Sequence, residues 1–370
     1  MALRETLSNP HVRTMSVTPV QGLGDSFFDS PEFRCAALRA KLLRASGAFQ
    51  VGTPWSCPPP CLVMTISLPE FRPCFSSSPT RELPHASHVS PQKDQSVVTE
   101  KSETDYVLGT NDEELDRLGL QHRVWRPVVT ECWQRVGITH GWRVLDVGAG
   151  PGYATADLAE IVGPTGSVLG IERSARFLEA ARERCHRRGL TNVEFREADL
   201  MEVSLGQLGF DASWCRWVAC FVSSPARLID NIAGALRPGG LAIFHEYSDY
   251  ETFRFMPIRP ALEKFAQEVM ASWRATGGEP NVARALPGLL REAGMRVLEI
   301  RPRVRTVAPR EYAWQWPASF IEINVVRLQE LGRLTEAEGA EVLREFRAAD
   351  ADPQSWFTTP LFLEIVARRE

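Results

Sequence analysis

The sequence predicts an α/β protein built on a doubly wound parallel sheet. Between residues 140 and 247, short apolar runs that suit strands alternate with amphipathic segments that suit helices. The first apolar run leads directly into a glycine-rich turn. Because a helix follows each strand, the strands must run parallel and the helices must cover both faces of the sheet. With 370 residues, 44% hydrophobic and 24% charged, the chain can bury such a core.

The individual elements follow from local patterns. Five core strands are predicted where the apolar runs are short: 144–147, 167–171, 193–196, 210–215 and 241–244. The helix after the first strand stops at Gly163, and Ser174 caps the next helix. Pro225 suits the first turn of the helix before the fifth strand. Two more strand candidates lie farther along, at 296–300 and 361–367.

Charge and hydropathy exclude several classes of protein. The net charge of -4 offers no electrostatic footprint for nucleic acid or for an anionic membrane. No apolar run approaches the roughly 18 to 20 residues that cross a bilayer. No secretory leader is recognisable, so we expect a cytoplasmic protein with reduced thiols. Cys57 and Cys61 are not followed by a His/Cys pair at ligand spacing, and no metal site is predicted.

Residues 1–105 differ in composition from the rest of the chain. They hold 12 of the 26 prolines but only one of the ten tryptophans, and their ten basic residues balance ten acidic ones. We expect a low-complexity, largely disordered extension there, followed by one domain over 106–370. A transit peptide, a small partner-binding module, and an upstream segment outside the working protein are the alternatives.

The turn after the first strand is built for a ligand. Gly148, Gly150 and Gly152 let the backbone turn sharply and approach a bound molecule, where a Cβ would clash. The helix that follows presents free N–H groups toward an anionic group. A dinucleotide fingerprint needs a further glycine where this chain has Tyr153, which argues against NAD.

Two acidic residues follow the next strands. Glu172 ends the second strand, where a carboxylate can accept hydrogen bonds from both hydroxyls of a ribose. A carboxylate at this position is common to the binding sites of nicotinamide and adenosyl cofactors, so it does not distinguish between these two cofactor classes. Asp199, just past the third strand, is placed either to accept a hydrogen bond from the adenine amine or to cap a turn.

Taken in order, these motifs resemble those of class I S-adenosylmethionine-dependent methyltransferases. The matching segments are VLDVGAGPG at 144–152, Glu172 after a strand, ADL at 198–200, FD at 210–211 and LRPGG at 236–240. The similarity covers about 106–370, with its core at 140–247. It implies a seven-stranded Rossmann-like sheet whose last strand runs antiparallel. It also implies helical lid insertions over 250–290 and 308–358, which carry several of the tryptophans and phenylalanines.

The resemblance also implies which residues bind S-adenosylmethionine. They are Tyr106, Gln121, Asp146, Gly148, Ala149, Gly150, Gly152, Glu172, Arg173, Asp199, Leu200 and Cys215. Asp146 and the turn at 148–152 would hold the amino-acid end, Glu172 the ribose, and Asp199 with Leu200 the adenine. Cys215 would line the methionine side. Tyr106 and Gln121 would close over the cofactor carboxylate or simply pack a helix.

Candidate catalytic residues follow the fourth and fifth strands, which face the substrate in this fold. Methyl transfer mainly needs alignment and exclusion of water, and a base only where the acceptor must lose a proton. His245 is a candidate base or a structural histidine, and Glu246 a candidate base, substrate anchor or solvated carboxylate. Arg216 is placed to hold an acidic substrate or to pair with a carboxylate of the fold.

The sequence therefore predicts a methyltransferase that moves a methyl group from S-adenosylmethionine to an O, N, C or S atom of a small organic molecule. Two alternatives stay open at this point. One is an NAD(P)-dependent oxidoreductase on a similar sheet, and the other is a catalytically silent protein that uses the same fold to bind a partner.

Overall fold

The computed structural model describes residues 111–370. The predicted extension over 1–105 and the candidate residue Tyr106 lie outside the described residues. None of the helices within 111–370 has the length and apolar character needed to cross a bilayer.

A seven-stranded sheet forms the centre of the described chain. Its strands are β1 Arg143–Val147, β2 Ser167–Glu172, β3 Val193–Glu197, β4 Phe210–Arg216, β5 Leu236–Asp249, β7 Met295–Arg303 and β10 Leu361–Arg369, with three short strands β6, β8 and β9 described below. The spatial order is β3-β2-β1-β4-β5-β10-β7. β10 is antiparallel to both of its neighbours, whereas the first five strands are parallel. The predicted doubly wound sheet with an antiparallel last strand is confirmed.

Eight α-helices surround the sheet in the described part of the chain. They are α1 Asp112–Val136, α2 Tyr153–Val162, α3 Ala175–Arg187, α4 Pro225–Ala235, α5 Pro260–Ala275, α6 Leu286–Glu292, α7 Gln315–Glu330 and α8 Glu336–Ala351. The predicted caps form, because the Ser174 side chain accepts from the Phe177 N–H and Ser224 from the Arg227 N–H. Pro225 occupies the first turn of α4, as expected.

Successive side chains of the central strands point to opposite faces of the sheet. On β4 and β5, Cys215 and Phe244 belong to one buried cluster, whereas Trp214 and Ile243 belong to the other. β5 was predicted only over 241–244, because polar residues follow it. β5 continues through these polar residues because neighbouring parts of the fold supply hydrogen-bond partners for their buried side chains.

A second, three-stranded sheet was not predicted. It joins β6 Arg254–Met256, β9 Trp356–Thr358 and β8 Thr306–Val307 in the order β6-β9-β8, with both pairs antiparallel. Strands of two or three residues carry no usable periodicity, and these come from segments up to a hundred residues apart. The predicted lid segments contribute α5 and α6 (250–290) and α7 and α8 (308–358).

Candidate active site

A cavity of about 540 Å³ opens at the carboxyl ends of the parallel strands. Most of the predicted cofactor residues line it: Gln121, Asp146, Gly148, Ala149, Gly150, Glu172, Arg173, Asp199 and Leu200. Ligands of doubly wound sheets bind at this edge, beside the strand where the order reverses. The topology therefore brings together residues that are up to 80 positions apart in the chain.

The glycines of the turn serve different purposes. Gly148 has φ +64°, and a Cβ added there would lie 2.4 Å from Cγ2 of Val218. Gly150 has φ +52°, lines the cavity, and has no protein atom within 4 Å of the position of an added Cβ. Its missing side chain leaves space for a ligand to approach the backbone.

Gly152 does not line the cavity, contrary to its predicted role in the cofactor site. A Cβ there would lie 2.7 Å from Cβ of Ala181 on α3. Its φ of +74° and this close approach show that a glycine is needed for helix packing behind the turn.

Glu172 is held by backbone N–H groups at the rim of the turn. Its carboxylate accepts from the N–H of Gly150 at 2.9 Å, of Arg173 at 2.8 Å and of Ser174 at 3.0 Å. Burial raises the pKa of Glu172, and these donors oppose the rise. Asp199 faces the same cavity while its Oδ1 caps a turn by accepting from the Met201 N–H at 2.7 Å. The two interpretations of Asp199 are therefore compatible.

Asp146 and Arg216 place opposite charges in the cavity wall. Asp146 accepts a 2.5 Å hydrogen bond from Thr155 Oγ1, and burial raises its pKa to about 6. Burial lowers the pKa of Arg216 to about 10, and the charge of Asp146 opposes that change. Arg216 Nη2 lies 3.4 Å from His122 Nδ1, but Nη1 is buried with no hydrogen-bond partner within 111–370. An unpaired buried cation next to a ligand cavity favours an anionic ligand.

Gln121 links α1 to α7 across the cavity. Its Oε1 accepts from Arg117 Nη1 and from Trp316 Nε1, both at 3.1 Å. Arg117 is itself paired with both carboxylate oxygens of Glu114 at 2.6 Å. Gln121 thus lines the cavity and packs the helix at the same time, and its role at the cofactor carboxylate stays a prediction.

Cys215 does not line the cavity, in contrast to its predicted place on the methionine side. Its side chain is fully buried in the core, with Sγ 3.8 Å from Glu246 Oε1. The alternation of β4 turns Cys215 into the core, and the cavity is lined by the next two residues, Arg216 and Trp217.

The surroundings of His245 favour the second of its two predicted roles, that of a structural histidine. It does not line the cavity, and its Nε2 lies 3.0 Å from Oε2 of Glu364 on β10. Its ring packs edge-on against Trp214 at 4.7 Å between centroids. Burial lowers the pKa of His245 to about 4, so the ring is neutral at neutral pH.

Glu246 also lies outside the cavity wall and contacts no position that an acceptor can occupy. Its carboxylate accepts from the N–H groups of Val218 at 2.8 Å, Ala219 at 2.9 Å and Cys220 at 3.4 Å. Burial raises the pKa of Glu246 to about 7, partly offset by these donors. Glu246 therefore positions the turn after β4, and these contacts do not support its predicted role as a base or anchor.

The main residues that sequence reasoning missed are aromatic. Trp217, Phe221 and Tyr247 line the cavity together with Trp273, Trp316 and Phe320, which belong to the predicted lid segments. Trp217 has φ +52°, which is unusual for a bulky residue, and its N–H donates to the carbonyl of His245 at 2.9 Å. Nothing in the local sequence signals this conformation, because β5 imposes it.

Comparison with known proteins agrees with this site. A family model described as a methyltransferase domain matches residues 144–240. A demethylmenaquinone methyltransferase of Lactococcus lactis is 28% identical over 191 residues, covering 48% of this chain and 74% of that relative. The ubiquinone/menaquinone biosynthesis C-methyltransferase UbiE of Pseudomonas putida is 30% identical over 152 residues, covering 38% of this chain and 58% of that relative. These similarities agree with the resemblance of the sequence motifs to class I S-adenosylmethionine-dependent methyltransferases.

The family match covers the glycine turn and extends to the glycine pair at 239–240, within β5. A solved S-adenosylmethionine-dependent methyltransferase from Aquifex aeolicus is 21% identical, with a TM-score of 0.36, covering 47% of this chain and 81% of that chain. This chain spans a little over half the length of the UbiE relatives it matches. The residues around the turn fit S-adenosylmethionine, because Gly150 leaves room for a ligand to approach the backbone and Arg216 places a guanidinium in the cavity wall.

Proposed function

We propose that this enzyme methylates a small organic acceptor at an O, N, C or S atom. The observation that carries the proposal is the division of the cavity into two chemically different ends. Every acidic residue of the cavity wall (Asp146, Glu172 and Asp199) lies at the ends of β1 to β3. The ends of β4 and β5, with α5 and α7, supply aromatic side chains instead. One end suits a polar cofactor, and the other suits an apolar acceptor.

The charged pair in the wall matches the amino-acid part of the cofactor. A zwitterion carries an ammonium and a carboxylate, and Asp146 and Arg216 offer one charge of each sign. We assign Asp146 to the ammonium and Arg216 to the carboxylate. Glu172 would accept from the ribose hydroxyls, and Asp199 with Leu200 would hold the adenine. When bound, the cofactor supplies a methyl group on a positively charged sulfur, which is a good leaving group.

The chain contributes alignment and exclusion of water. No histidine, lysine or cysteine of residues 111–370 lines the cavity, and its three acids lie at the cofactor end. The described residues thus offer the acceptor no base, so its nucleophilic atom must react without one or lose its proton to water. The aromatic side chains exclude water and hold the acceptor in one orientation.

A ring carbon is one of the acceptor atoms that the relatives suggest. Two of them are named as a demethylmenaquinone methyltransferase and a ubiquinone/menaquinone biosynthesis C-methyltransferase. Quinone-like rings are flat and mostly apolar, as the aromatic end of the cavity requires.

Calorimetry tests the assignment of the cofactor site. We expect S-adenosylhomocysteine to bind the full chain, and NADH not to bind. In Arg216→Met, S-adenosylhomocysteine should bind at least ten times more weakly, because its carboxylate loses a charge-assisted hydrogen bond. The compound 5′-methylthioadenosine lacks this carboxylate, so it should bind the variant as tightly as the wild type. Tight binding of NADH without binding of S-adenosylhomocysteine would refute the proposed function.

A further inference from the structure

His122 of α1 lies behind the cavity wall and contacts two charged side chains. It does not line the cavity, and it is only 4% exposed. Its Nε2 lies 3.1 Å from Oδ2 of Asp157 on α2, and its Nδ1 lies 3.4 Å from Nη2 of Arg216 at the end of β4. Arg216 lines the cavity, whereas Asp157 does not. The imidazole therefore joins a guanidinium of the cavity wall to a carboxylate outside it.

These two contacts determine where the imidazole carries its proton. A guanidinium has donors only, so Nδ1 of His122 must accept from Arg216 and carry no proton. Nε2 then carries the ring proton and donates it to Asp157. Burial lowers the pKa of His122 to about 4, and the hydrogen bond to Asp157 opposes that change, so the ring is neutral near pH 7. Only one neutral tautomer satisfies both contacts.

The guanidinium of Arg216 has few other restraints. In the part of the chain that the structure describes, its hydrogen-bond partner is Nδ1 of His122, and Nη1 has none. The ring of Trp217 adds a cation–π contact at 5.3 Å from Cζ. A free arginine side chain has many rotamers, so an acceptor that selects one of them reduces the entropy lost when a carboxylate binds. His122 thus preorganises the guanidinium.

Neighbouring residues hold the imidazole itself. Its ring stacks on the ring of Tyr153, with 5.6 Å between centroids and 22° between planes. The guanidinium of Arg184 lies 3.4 Å from the centre of the Tyr153 ring. Gly119, one turn before His122 on α1, leaves room for Tyr153, because an added Cβ would lie 2.4 Å from its Oη. The acceptor that His122 presents to Arg216 therefore has a fixed orientation.

We propose that His122 is a positioning residue whose Nδ1 holds the guanidinium of Arg216 in the orientation that binds the carboxylate of the cofactor. His122 does not line the cavity, so it acts through Arg216. This inference rests on the proposed function, which assigns Arg216 to that carboxylate, and it adds the residue that makes the guanidinium ready to bind.

Two variants of the full chain, compared by calorimetry, test the role of Nδ1. His122→Phe keeps a ring beside Tyr153 but removes the acceptor, and Asp157 keeps Arg126 and Arg188 as partners. We expect S-adenosylhomocysteine to bind this variant about three to ten times more weakly, the range of one net hydrogen bond. Binding of 5′-methylthioadenosine, which has no carboxylate, should stay as in the wild type. His122→Asn places an oxygen near the position of Nδ1, so it should recover most of the lost affinity.

His245→Phe is the matched control. Nε2 of His245 is likewise paired with a buried carboxylate, that of Glu364, which keeps Arg135 and Arg303 as partners. The side chain of His245 does not line the cavity. We expect both phenylalanine variants to lower the stability of the fold, but only His122→Phe to change the ratio between the affinities for the two ligands.

Nitrogen NMR of the full chain with labelled histidine tests the same inference without a phenylalanine variant. The Nδ1 signal of His122, assigned by its absence in His122→Asn, should be that of an unprotonated nitrogen at pH 7. A protonated Nδ1 would overturn the proposal. So would unchanged binding of S-adenosylhomocysteine to His122→Phe, equal weakening of both ligands in that variant, or no recovery in His122→Asn.

The proposed function fails by different results. These are no binding of S-adenosylhomocysteine to the wild type, or an equal effect of Arg216→Met on both ligands. If Arg216→Met weakens only S-adenosylhomocysteine while His122→Phe does not, the role of Arg216 stands and the role of His122 is refuted.

Discussion

Glu246 allows the structure to be tested through the pH dependence of stability. Its carboxylate is fully buried, and burial raises its pKa to about 7 from an ordinary value of 4.5. At about 1.4 kcal/mol per pH unit, this rise corresponds to about 3 kcal/mol. The folded state binds the proton more tightly than the unfolded chain between these two values. The free energy of unfolding should therefore fall by about that amount as the pH rises from about 4.5 to above 7.

Glu246→Gln removes this titration and keeps one oxygen for the N–H groups of Val218 and Ala219. Urea unfolding of both proteins at a series of pH values measures the difference. We expect the variant to gain about 3 kcal/mol relative to the wild type between about pH 4.5 and pH 8. Taking the difference cancels groups that titrate in both proteins, such as Asp146.

Glu341→Gln serves as the control, because Glu341 pairs with Arg344 on the exposed surface of α8. The Arg344 guanidinium holds the pKa of Glu341 below its usual value, so its loss should produce no gain of this kind as the pH rises. If the difference between Glu246→Gln and the wild type stayed flat across the range, the carboxylate would not be buried against the turn after β4 as described.

Two further variants, with one control, test the cofactor site, and a third variant tests the structural role of His245. Glu172→Ala should weaken binding of S-adenosylhomocysteine by roughly 1–3 kcal/mol, because the ribose hydroxyls lose their acceptor; unchanged affinity in calorimetry would refute the ribose role. Gly150→Leu should abolish that binding, because the leucine side chain fills the cavity. Gly137→Leu is the control: it changes another glycine in the left-handed conformation, at the end of α1, so it should destabilise the fold but leave the affinity for S-adenosylhomocysteine intact. His245→Gln should lower the free energy of unfolding by about 1–3 kcal/mol, because the contact with Glu364 is disturbed, and should leave the cofactor affinity unchanged. A loss of cofactor affinity without a loss of stability would contradict the structural role of His245.

The order of elements could be predicted because it depends on local signals. Apolar runs, helix caps at Ser174 and Ser224, and glycine stops act over a few residues, and the strands they predicted are present. The ends of β5 could not be predicted in this way. Its pattern turns polar at His245 and Glu246, and only a partner on β10 and the turn after β4 make their burial possible.

The residues of the candidate site also divide into those that local sequence signals could place and those that they could not. Gly150, Glu172 and Asp199 could be placed because a glycine turn and acidic strand ends are tied to strands of known direction. Trp217 and Trp273 could not, since they come from a turn and from α5, and no periodicity relates them. The same holds for Arg216, whose unpaired Nη1 becomes visible only when its neighbours are in place.

The amino-acid sequence by itself determined the sheet and its glycine turn, because these depend on short-range backbone preferences and on the direction of parallel strands. The class of cofactor was implied by the resemblance of the ordered motifs to a known family. Tertiary structure alone decided which polar side chains face the ligand and which are buried as structural groups. Cys215, His245 and Glu246 follow strands in the sequence just as Arg216 does, yet only Arg216 lines the cavity. The physical reason is that the partners of a buried polar group come from distant parts of the chain, and folding brings those partners to it.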